Sequence, residues 1–192
     1  MGTAGAHAPS GLLSADSPPW DLPANWSAVP PSSPVRLAEY RVPAPQPDGE
    51  PGEVAVFFLG PSDADVDDTL RRWASSFDAE SAGKAKRWER RDGKHPAHFV
   101  EVAGTYLGAT TMAPEGAKPA LRPDWMMIGA IVQVPLGPYY FKMTGPMQTI
   151  AAARDAFLAM IDSVGRTVPS PAVSGSVPAP PASGSAPPVP RP

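Results

Sequence analysis

Lys142 is the one basic side chain in the apolar run 139–143, between two tyrosines, a phenylalanine and a methionine. A lysine buried there would be an amine of lowered pKa; a lysine on a half-solvated face simply points to water. The outward-pointing lysine is the reading adopted. Strand alternation puts Tyr140, Lys142 and Thr144 on one face. Trp125 and Met127 share a face of their own strand in the same way. If that side of the sheet is open, Tyr140, Lys142, Thr144 and Trp125 are the candidate ligand-binding residues.

A second candidate is the basic run 84–95, KAKRWERRDGKH. Lys86, Arg87, Arg90 and Arg91 surround Trp88, and cations around an indole suit an anion or a stacked base. The run is short, however, and Glu89 and Asp92 interrupt it. The whole chain carries a net charge of −3. A solvated hairpin or loop is the plainer reading, and nucleic acid is not favoured as a partner.

Other chemistry is poorly supported. Asp63, Asp65, Asp67 and Asp68 resemble the start of a calcium loop, but such a loop needs glycine at its sixth place and glutamate at its twelfth. Here those places hold Asp68 and Ala74. An acidic helix start explains the run better, because the helix dipole favours acids there. His95 and His98 stand three apart at a strand entry with no third ligand nearby, so no zinc site is expected. The chain has no cysteine, which removes thiol nucleophiles, disulfides and cysteine-held metals. It has no G-x-S-x-G, no phosphate loop and no dinucleotide-binding glycine pattern. No catalytic residue, metal or cofactor is therefore assigned. The alternative is an enzyme of unrecognised class using Lys142, His98 or the acids of residues 63–68.

The elements that must position these residues are readable. Runs 35–42, 54–59, 98–109, 125–134 and 139–144 read as strands, and 54–59 is apolar enough to lie inside the sheet. Val66, Leu70, Trp73 and Phe77 recur at helical spacing, with Ser62 or Asp63 as the cap. Ile150, Ala153, Phe157, Ile161 and Val164 form a second stripe, with Thr144 as cap, Pro146 in the first turn and Gly165 as the stop. Short turns between strands imply antiparallel pairing. The expected fold class is α+β, an antiparallel sheet of about five or six strands covered by two main helices.

Composition divides the 192 residues. Residues 1–18 and 168–192 are rich in Pro, Ala, Ser and Gly and read as disordered tails. Residues 19–167 read as a single domain, opening with an arm, 19–34, whose Trp20 and Trp26 pin it down. The sequon at Asn25, Trp26 and Ser27 reads as chance. No run reaches the ~18 apolar residues of a membrane helix. The start has neither a basic n-region nor an apolar core, and Ala6 breaks a myristoylation pattern. A trimmed signal or an upstream start stays open.

Several short motifs, taken together, resemble a group of uncharacterised bacterial exported or lipoprotein-like proteins. They are PANW at 23–26, RLAEYRVP at 36–43, VAVFFLGP at 54–61, RW at 72–73 with Phe77, VAGTY at 102–106, GAIV at 129–132 and YYFKMTGP at 139–146. The acidic PSDADVDD replaces the glycine-rich turn of that group. The order of elements also resembles the PsbP-like α/β/α sandwich, an analogy of fold alone. PsbP-like domains are mostly adaptors, so the resemblance implies a non-catalytic binding module and a periplasmic or envelope location. A cytoplasmic location is the alternative. The expected partner is an unknown protein or small ligand, and the expected state is a monomer.

Overall fold

The computed structural model describes residues 19–61, 65–108 and 121–165. The expected tails, and the Ser62 and Asp63 capping positions, lie outside the described residues. Seven strands form one antiparallel sheet: β1 (Ser27–Val29), β2 (Ala38–Val42), β3 (Gly52–Phe58), β4 (Lys86–Arg90), β5 (Ala97–Tyr106), β6 (Arg122–Val134) and β7 (Gly137–Pro146). Their order across the sheet is β1-β2-β3-β7-β6-β5-β4. The helices are α1 (Val66–Ala74), α2 (Ala79–Gly83) and α3 (Met147–Asp162).

The sheet is larger than the sequence suggested. β1 lies in the arm and pairs Ala28 with Tyr40. β4 is built from KRWER, where a loop was expected, and pairs Trp88 with Phe99. Edge strands often carry charge, which blunts their open hydrogen-bonding side. β7 runs on to Pro146, so Thr144 is a strand residue and not a cap. Pro146 holds the N-cap position of α3 and supplies no side-chain bond. In α1 the cap is Asp65, whose carboxylate accepts from the Asp68 N–H at 2.9 Å.

Strand alternation sorts the apolar side chains into two clusters. On one face Val54, Val56, Phe99, Ile128, Phe141 and Met143 join Ile150, Phe157, Met160 and Ile161 of α3. The arm belongs to this cluster. Trp20 is buried, packs edge-on against Phe141 at 5.1 Å, and its indole donates to the Tyr40 hydroxyl at 3.0 Å. The Asp21 N–H donates to Ser163 Oγ at 2.7 Å, and the Gly165 N–H to the Pro19 carbonyl at 2.7 Å, fastening the arm to the end of α3.

On the other face Leu70 and Ala74 of α1 meet Val100, Val102, Met127, Ile131 and Tyr140. Trp73 of α1 lies directly over Gly129, where a Cβ would collide with the indole. Gly129 therefore lets α1 sit low on the sheet. The contacts of α1 fall mainly on β5 and β6, and Trp73 also reaches Tyr140 of β7, so the same face over β2, β3 and the Lys142–Thr144 end of β7 lies beside the helix and not under it. That difference creates the site.

Candidate functional site

A cavity of about 790 Å³ opens on this face, over β2, β3 and β7 and up to the ends of β5 and β6. Register builds its floor. Ala55 pairs with Lys142, and Lys142 with Gly129, so the three share one row across the sheet. Glu53 pairs with Thr144, and Thr144 with Met127, one step along. Lys142 and Thr144 thus project from adjacent same-face positions of β7. Thr144 lines the cavity beside Lys142.

The wall toward β5 and β6 is aromatic. Tyr106 and Trp125 stack with ring centres 5.5 Å apart and planes 14° apart. Phe77 packs against Tyr106 at 5.2 Å, and the Arg122 guanidinium lies 4.8 Å from the Trp125 ring centre. A bulge between Gly104 and Tyr106 re-aims this end of β5, as bulges do where a strand bends. Asp78, the cap of α2, secures it: its carboxylate accepts from the Ser81 N–H at 3.0 Å, the Ser81 hydroxyl at 2.6 Å and the Thr105 N–H at 3.1 Å. These bonds, the Ser81 hydroxyl first, hold the Asp78 carboxyl down at about 2. Trp73 and Phe57 complete the apolar lining, and Val35 stands exposed at the rim.

The opposite wall is ionic. Arg36 contacts Glu39 at 2.9 Å and Glu53 at 2.6 Å. Glu39 is buried and also accepts from the Ser32 N–H at 2.9 Å. Burial pushes the Glu39 carboxyl up, but the Ser32 N–H and hydroxyl and the Arg36 guanidinium outweigh it and hold it below its usual range. Burial also works against the Arg36 charge, and Glu53 and Glu39 overcome it, holding Arg36 above its usual value. Both acids thus share one guanidinium.

Lys142 differs. It is half-buried, where an outward-pointing side chain was expected. No carboxylate lies within 4.0 Å of its ammonium among the described residues. Its nearest described aromatic partner is Tyr106, whose ring centre is 5.7 Å from Nζ. Burial first, then repulsion from Arg36, lowers its pKa, and Glu53 offsets this only in part. The Tyr106 hydroxyl is pushed the other way, above its usual value, by burial and then by Glu53.

Of the residues singled out from sequence, Lys142, Thr144 and Trp125 line the same cavity. Tyr140 shares their side of the sheet but lies under α1, buried against Trp73 at 6.3 Å. The face was readable from alternation; the helix above Tyr140 was not. Arg36, Glu39, Glu53, Tyr106 and Trp73 were missed. Pairing of β3 with β7 brings in Glu53, and pairing of β2 with β3 brings in Arg36 and Glu39, from far along the chain, and no local pattern signals that.

The basic run does not converge. β4 alternates, so Lys86, Trp88 and Arg90 project to one side and Arg87, Glu89 and Arg91 to the other. Trp88 stacks on Phe99 with planes 3° apart and rings 5.0 Å apart, and Arg154 lies 5.6 Å from its ring centre. Arg90 binds both carboxylate oxygens of Asp162, at 2.8 and 3.0 Å. Arg91 binds Glu89 at 2.6 Å. Of these pairs, Arg90 with Asp162 ties the edge strand to α3, and Arg91 with Glu89 is local to the run. His98 lies 3.9 Å from Glu89 on this edge, remote from the cavity lining. Burial and then Lys94 lower the pKa of His95. Among the described residues no group of His, Asp and Glu is arranged to hold a metal ion. No described helix is long and apolar enough to cross a membrane. Compared with known proteins, the chain matches no family model and no curated protein sequence.

Proposed function

We propose that this protein is a non-catalytic binding module that holds a small ligand in the cavity over β2, β3 and β7. The observation that carries this reading is a half-buried ammonium with no carboxylate partner among the described residues, set in an aromatic-walled cavity of about 790 Å³. Ligand sites are commonly apolar clefts of ~300–1,000 Å³ with a few placed polar groups. Glu39 and Glu53 are committed to Arg36 and Glu50 to Arg122, so a free carboxylate base beside Lys142 is lacking among the described residues. That favours holding over converting. The likeness to adaptor-type PsbP-like sandwiches, with helices on both sheet faces, supports the same reading, and the motif resemblance extends it to the cell envelope. The test is a fluorescence or calorimetric screen of small organic ligands against the intact chain. Saturable binding that weakens when Trp125 is replaced by alanine is expected. Binding that survives in that variant, or that depends on Trp88, would place the site elsewhere.

A second reading has one observation behind it. The lowered pKa of Lys142 suits an amine that reacts with carbonyl compounds. Borohydride trapping of an aldehyde on Lys142, in preference to the exposed Lys84 and Lys86, would favour it.

A further inference from the structure

Among the described residues, the charges that line the cavity do not cancel. Arg36, Arg41, Arg122 and Lys142 face Glu39, Glu50 and Glu53. Arg122 and Glu50 are paired at 2.8 Å. Glu39 and Glu53 share Arg36, which leaves one negative charge there. The exposed Arg41, directly across from Glu53 in the strand register, offsets it. Among the described residues Lys142 is the surplus cation, and like Arg36 it is half-buried.

We infer that the ligand is a small organic monoanion, a carboxylate on an apolar ring-containing body, with its head on Lys142 and Thr144 and its body against Tyr106, Trp125 and Trp73. The inference rests on the binding reading above and adds the ligand class. An anion restores the partner that a half-buried ammonium lacks. Thr144, next on the same face of β7, supplies a hydroxyl donor to the same head group. A cationic ligand would face the surplus charge, and a polyanion would exceed the single net positive charge of the described lining. The apolar body follows from the walls. Phe57, Trp73, Tyr106 and Trp125 line the cavity and Val35 is 60% exposed at its rim. Burial of an apolar body against such side chains drives association without needing a second charge.

The experiment compares 2-naphthoate with neutral 2-naphthylmethanol on the full chain, by titration calorimetry at low salt. Naphthoate is expected to bind about tenfold or more tightly than the alcohol. In Lys142→Met that preference is expected to vanish. Lys142→Arg, which keeps the charge, is expected to restore most of it, and the thermal transition of each variant checks that it folds. Equal binding of both probes to the natural chain would overturn the monoanion inference and leave the binding cavity standing. A preference that persists in folded Lys142→Met would overturn the role of Lys142. Binding of neither probe to the natural chain would count against the cavity itself, and the inference would fall with it.

Discussion

The Lys142 ammonium lies 5.7 Å from the centre of the Tyr106 ring, with no carboxylate in salt-bridge range among the described residues. A cation over an aromatic face gains about 0.5–1 kcal/mol at exposed sites. That does not replace a carboxylate partner, so the free protein carries an under-compensated charge at this point. The charge is near a committed ion triad, Arg36 with Glu39 and Glu53, that repels it from one side and attracts it from the other.

Removing the Lys142 charge should therefore leave stability intact or raise it slightly. Lys142→Met is expected to change unfolding free energy by no more than about 1 kcal/mol, with any change favouring the variant. Urea unfolding checks this. A loss of about 3 kcal/mol or more would mean that the lysine stem or its charge braces the sheet.

The pH dependence of the same pair carries a sign. The folded pKa of Lys142 is lowered, so between that value and the ordinary lysine value the unfolded chain binds more protons. Stability then rises with pH through that window. Tyr40, Tyr106 and Tyr139 have raised values, chiefly through burial, and work in the opposite direction in the alkaline range. The difference between the natural chain and Lys142→Met cancels the tyrosines. That difference should move in favour of the natural chain as pH rises from neutral, and a flat difference would contradict the burial of the amine.

Glu39 is the part of the ionic wall most withdrawn from water, at 8% exposure. Glu39→Ala leaves the Ser32 N–H and half of the Arg36 guanidinium without an acceptor. A loss of about 1–3 kcal/mol is expected in denaturant unfolding. Glu53→Ala, which removes a more exposed partner of the same arginine, should cost less.

Asp78 fastens the bulged end of β5 to α2, and its carboxyl is held at about 2 mainly by the Ser81 hydroxyl and N–H. A depressed carboxyl stabilises above its unfolded pKa and loses that contribution as pH falls through its folded value. Acid unfolding of the natural chain should therefore include a component between about pH 4 and pH 2. Asp78→Asn keeps a capping oxygen but should lack that component. An unchanged acid limb in the variant would refute the bond network around Thr105.

Gly129 lies under the Trp73 indole, closer than any added Cβ allows. Gly129→Ala should force the indole and α1 upward, at about 1–3 kcal/mol, the usual cost of overpacking. Because Trp73 also lines the cavity, the variant should lose ligand binding along with stability.

The elements carrying long apolar patterns were legible in the chain. β5, β6, β7, α1 and α3 follow from period and turn chemistry, and alternation alone places Lys142, Thr144 and Trp125 on their faces. β4 escaped because its side chains are charged on both sides: as an edge strand it is satisfied by ion pairs with Glu101, Asp162 and Glu89, which leave no apolar rhythm to read. α2 has only five residues and no buried ones, so nothing marks it beyond the Asp78 cap. Lys142 was expected to face water because β7 looked like a half-solvated strand. Its burial comes from Tyr106 and the Arg36 triad, which reach it only through strand pairing.

The five tryptophans supply a direct test of where ligand binds. Trp73 and Trp125 line the cavity, whereas Trp20 and Trp26 are buried under the other face and Trp88 is stacked on Phe99. In a two-dimensional nitrogen–proton spectrum each indole gives its own signal. Titration with 2-naphthoate should shift the Trp73 and Trp125 signals together, along one saturable curve, and leave Trp20, Trp26 and Trp88 in place. A shift confined to Trp88, or movement of no indole at saturating probe, would contradict a binding site over β2, β3 and β7.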